Sequence, residues 1–234
     1  MIAPPPIRMP DTAPKAELLR SLGKLVRGLS ALFWGLPISL IVCVQTAQTQ
    51  ILHSLYVLPP MIVLSLLFYG LWLLGHFQRQ ERIWVAALDR AKILSLVNLG
   101  LGPFLFWWNQ RPGEVFFVAI INVLGVTGLL FLSALNAVLC RLTAMLPDES
   151  LRQETRHFTS LNRFLLLGIL LIDVLFFVLQ RFSLHVDLPI NLDEIFGPGG
   201  GWLVMFLGLL PLAMTMALIW KIKEIILDSV FGAD

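Results

Sequence analysis

One acid stands alone in the most apolar part of this chain. Phe164 to Gln180 reads Phe-Leu-Leu-Leu-Gly-Ile-Leu-Leu-Ile-Asp-Val-Leu-Phe-Phe-Val-Leu-Gln, closed by Arg163 and Arg181, and Asp173 lies near its midpoint. As a helix the stretch is about 26 Å long, close to the hydrocarbon thickness of a bilayer. A carboxylate at that depth costs several kcal/mol unless it is protonated, paired or hydrated. Two chemistries suit it. A neutral acid can hydrogen-bond a neighbouring helix much as an amide does. An acid that exchanges its proton can carry a proton or a cation through a path in the membrane.

The polar residues around it decide between the two. Asn162, Asp173 and Gln180 fall within about 20° of one another at 100° per residue, so one face of this helix should look into the protein. A second apolar segment carries Asn122, Gly125, Ser133, Asn136 and Cys140 on one stripe. Small and amide side chains on a stripe are what helix contacts in membranes use, and the two stripes are expected to face each other. Prolines add acceptors: Pro211 should free the carbonyl of Leu207, and Pro103 that of Leu99. The candidate intramembrane site is therefore Asp173, Asn122, Gln180, Asn162, Ser133 and Asn136.

Other chemistries find little support. His53 and His76 lie at opposite ends of one apolar segment, and His157 and His185 lie in polar ones, so no pair is placed to hold a haem. His185, Asp187, Asp193 and Glu194 share a loop without the spacing of a closed metal site. Ser133 and Cys140 have no base on their own helix to activate them. Neither a phosphate-cradling Gly-rich loop nor a dinucleotide fingerprint occurs. No catalytic, cofactor-binding or metal-ligating residue is expected. The basic clusters flank apolar segments, which makes the bilayer their partner rather than nucleic acid.

The elements that must position these residues follow from composition. The 234 residues are 57% hydrophobic and only 14% charged, where a soluble domain has about 25% charged residues. Backbone groups in lipid must pair within their own segment, so apolar spans are helices. Six are expected, at about 29–46, 55–76, 93–109, 115–139, 164–180 and 202–220. Strands of a membrane barrel would alternate over about ten residues, and no such pattern is present. The fold class is thus all-α and polytopic.

Residues 1–15 hold Pro4, Pro5, Pro6, Pro10 and Pro14 and read as a disordered tail. Residues 16–220 form one membrane domain, and 221–234 form an amphipathic cytoplasmic tail. Segments 16–28, 77–92 and 150–162 carry apolar residues at helical spacing between basic ones. Such segments are expected as short helices lying on the membrane surface. Ser95–Asn98 and Ser160–Asn162 repeat a Ser-Leu-(Val)-Asn element before two spans, too short to claim an internal duplication.

Charge fixes the orientation. Lysines and arginines in the seven segments outside the spans number five, none, four, one, four, one and two, or fifteen on one side against two on the other. Cytoplasmic loops are enriched in Lys and Arg, which places both termini in the cytoplasm and the protein in the cell (inner or plasma) membrane. Cys43 and Cys140 then lie near opposite faces and should not pair. The reading that fits best is a non-enzymatic membrane protein that anchors or scaffolds a membrane or cytoplasmic partner, with self-association open. The alternative is a small proton- or cation-coupled transporter or channel working through Asp173. A permeation path usually needs several polar residues at the midplane, and here there is one acid.

Overall fold

In the computed structural model, residues 12–49, 55–77, 81–111, 113–145, 149–182 and 200–231 are described, and all their regular structure is helical. In chain order the helices are α1 (Thr12–Gln48), α2 (Leu58–Leu74), α3 (Arg82–Leu101), α4 (Phe104–Gln110), α5 (Val115–Ala144), α6 (Glu149–Phe182) and α7 (Gly200–Phe231). Of the expected proline-rich tail, Thr12 to Lys15 already belong to α1. The remainder lies outside the described residues, as does the loop bearing His185, Asp187, Asp193 and Glu194.

Three described helical stretches are long and apolar enough to cross a membrane: Arg20–Gln48, Arg82–Gln110 and Val115–Ala144. Leu58–Leu74 is apolar but shorter, about 25 Å at helical rise. Its first turn holds Pro59 and Pro60, where a missing N–H leaves no bond unmade. The second stretch breaks at Gly102-Pro103. Pro103 has no N–H to continue the ladder, and the chain closes the gap with tight turns from Leu105 N to Gly102 O and Phe106 N to Pro103 O, both 3.2 Å. Large apolar side chains, among them Trp34, Ile62, Ile93, Phe116, Phe164 and Leu171, stand exposed on the outside of the bundle. A surface of that kind suits lipid.

The expected surface helices are not separate elements. Residues 16–28 run without a break into the first span as α1, 82–92 into α3, 150–162 into α6, and 221–231 continue α7. No proline or turn interrupts these junctions. The apolar faces of the extensions also have a better neighbour than the membrane surface, which is one another. Leu25 on α1, Trp84 and Leu88 on α3, Leu142 on α5, and Ile222 and Ile226 on α7 are all buried in one core cluster. Trp84 is only 1% exposed, and its indole N–H donates to the carbonyl of Phe77 at 3.1 Å. A polar tip satisfied in this way lets a large ring be buried at little cost.

Helix α1 packs along α2, α3 along α5, and α5 along α6, while α7 touches α1, α5 and α6. The α1–α2 contact is close because Gly28 and Gly70 meet there. Cβ atoms are lacking where each backbone approaches the other's carbonyl oxygen. Four arginines gather at one end of the bundle. Arg82, Arg90 and Arg141 line one cavity, and Arg152 donates to Ala144 O at 3.3 Å. At the other end, Asn109 in the last turn of α4 donates to the carbonyls of Thr46 and Thr49, each at 3.0 Å. It thereby caps the last turn of α1, whose carbonyls have no partner within the helix.

Candidate functional site

Three buried neutral side chains from three helices converge on one hydroxyl, that of Thr215. Thr215 follows Pro211 by one turn on α7, and its hydroxyl donates back to Pro211 O at 2.7 Å. The same hydroxyl oxygen accepts from Asn136 Nδ2 of α5 at 2.9 Å and from Asn162 Nδ2 of α6 at 3.1 Å. Asn136 gives its second amide hydrogen to Leu132 O at 2.8 Å, and Asn162 gives its own to Pro211 O at 3.3 Å. Asn136, Asn162 and Thr215 are 3%, 1% and 0% exposed.

The donors and acceptors close almost completely. A hydroxyl has one hydrogen and two lone pairs, and all three of Thr215 are used. Both hydrogens of each amide are used as well. Asn162 Oδ1 is buried with no partner among the described residues. Turning the amide over would place that oxygen against Pro211 O, acceptor on acceptor, so the observed orientation is the better of the two. The cluster carries no formal charge. It joins α5, α6 and α7 through hydrogen bonds and offers no nucleophile with a base beside it.

Among the described side chains, one residue of each polar stripe expected from sequence comes to a shared partner on a third helix. Asn136 and Asn162 come together. Asn122 is half-buried and has no side-chain hydrogen bond to a described residue. Ser133 lines a cavity next to the cluster. Asp173 and Gln180 are on α6, and their side chains lie outside the described residues. Asn162 is eleven positions before Asp173, about 16 Å along the helix. Within the cluster the acceptor is the carbonyl of Pro211, because Thr215 reaches back four residues to it.

Thr215 carried no signal in isolation, since a single threonine in an apolar helix is common. A second pair follows the same chemistry. Asn98 on α3 is buried, accepts from the Thr127 hydroxyl of α5 at 2.6 Å, and donates to Thr127 O at 3.5 Å. Asn98 and Asn162 are the asparagines that end the two Ser-Leu-(Val)-Asn elements, so that short pattern marked both interhelical contacts. Among the described residues no three His, Cys, Asp or Glu side chains come together, and Cys43 and Cys140 are free thiols. No protein family, curated protein or solved structure matches the chain.

Proposed function

We propose that this chain is a non-enzymatic integral membrane protein with six spans and both termini in the cytoplasm, serving as an anchoring or scaffolding subunit. The observation that carries this reading is the Asn136–Thr215–Asn162 cluster. Its polar atoms are used to hold three helices together, and it is neutral throughout. A permeation path needs polar groups that stay available to a solute, and these are already engaged. The basic helical extensions with their shared core give the protein a rigid cytoplasmic end on which a partner can dock.

In this reading Asp173 is a neutral packing residue. At 100° per residue, position 173 falls in register with Thr155, Asn162 and Leu166, all buried, and away from exposed Phe164, Leu171 and Leu175. The test is proton and cation flux in liposomes for the wild type and Asp173→Asn, with the thermal stability of both. Asn keeps the hydrogen bonding and cannot exchange a proton. Background flux and equal stability in both proteins support anchoring. A wild-type flux that Asp173→Asn abolishes would establish the transport reading instead.

A further inference from the structure

A cavity of about 550 Å³ opens between α3, α5 and α6, beside the buried cluster. Its walls differ along its length. Arg90 of α3 and Arg163 of α6 line it, with Ser133 and Thr159, and Ile93, Leu130 and Leu166 supply an apolar part. A second cavity of about 360 Å³ shares Arg90 and Ala87 with it and adds Arg82 and Arg141. Arg90 and Arg163 are exposed, and neither forms an ion pair with a described carboxylate. Asp89, the acid adjoining Arg90 in sequence, is turned to Lys92 at 3.4 Å. The hydroxyl of Thr159 is buried without a partner among the described residues.

We infer that this groove binds one anionic glycerophospholipid, with its phosphate between Arg90 and Arg163 and an acyl chain along Ile93, Leu130 and Leu166. Guanidinium groups present paired donors that match phosphate oxygens, and they do so best where water is partly excluded. Basic pockets between helices at the cytoplasmic end of a membrane domain suit acidic headgroups. A soluble anion would use the arginines and leave the apolar wall bare. A lipid covers both, and the wall lies where its chains run. The inference depends on the chain residing in a bilayer and not on the anchoring role.

The test uses the full-length protein in detergent micelles, with bound lipid read by native mass spectrometry. Phosphatidylglycerol, phosphatidylcholine and sn-glycerol 1-phosphate are each titrated in. Wild type should retain phosphatidylglycerol over phosphatidylcholine and should not retain glycerol phosphate. The double variant Arg90→Gln/Arg163→Gln should lower that preference about tenfold or more, as expected from two headgroup contacts. Arg111→Gln, at the opposite end where Arg111 pairs with Glu114 at 3.5 Å, should leave it unchanged. Equal retention of both lipids, an unaltered preference in the double variant, or binding of glycerol phosphate as tight as that of the lipid would each overturn the inference. If the double variant does not fold, the three wild-type titrations decide.

Discussion

Gly28 on α1 and Gly70 on α2 face each other across the contact between the two helices. A Cβ on Gly28 would lie 2.8 Å from Gly70 O, and one on Gly70 would lie 3.1 Å from Gly28 O. Backbone cannot turn aside as a side chain can, so these are the positions where one methyl group matters most. Gly35, further along α1, meets only side chains, those of Leu67 and Leu66.

Gly28→Ala should therefore force α1 and α2 apart and destabilise the protein by about 1–3 kcal/mol, the range for overpacking. Gly23→Ala, where the added atom meets nothing within 4 Å, should cost little. Unfolding midpoints in mixed micelles compare the two. Equal midpoints would mean that the helices separate without loss and that the glycine contact is not a constraint.

Thr215→Val removes the hydroxyl on which Asn136 and Asn162 converge and keeps the shape. Two buried amide donors lose their acceptor, and a loss of about 1–2 kcal/mol is expected. Thr215→Ser keeps the oxygen and should recover most of the difference. Asn136→Ala in the Thr215→Val background should add less than it does in the wild type, because the shared bond is already gone. Strict additivity in that cycle would rule out the network.

Trp84→Phe keeps an aromatic ring in the core and deletes the donor to Phe77 O. The orphaned carbonyl should cost about 1 kcal/mol, whereas Trp84→Ala should cost about 3–5 kcal/mol. Tryptophan emission supplies a second reading, since loss of a buried indole removes a blue-shifted component. Loss of a red-shifted component instead would show that position 84 faces water, as a surface-lying helix would allow.

Topology is tested by reporters placed after residue 234 and within 181–201. The first should read cytoplasmic and the second external, following the charge asymmetry of fifteen against two. A C-terminal reporter on the outer face would rule out the six-span arrangement.

Much is legible in the sequence because composition restricts the choices. Low charge and long apolar runs leave only helices, and those runs gave the approximate positions of α1, α2, α3–α4 and α5. Asn136 and Asn162 were legible for the same reason. An amide in an apolar stripe must find a partner, and facing helices are where partners are. Helix phase alone could not say at what depth they meet, because that depends on how far each helix slides along its neighbour.

Sequence by itself determined the helical class, the apolar segments, the basic flanks and the two asparagines that had to be satisfied. Each of these is a local demand of composition or periodicity. Tertiary structure decided the rest. It chose Thr215 as the shared acceptor and paired Asn98 with Thr127, since both partners are remote in sequence and unremarkable alone. It also turned the amphipathic segments into continuations of the spans. Their apolar faces fit lipid headgroups or each other equally well by pattern. Mutual packing of Leu25, Trp84, Leu142 and Ile222 decides between the two, because a core shared among four helices excludes water from all of them at once.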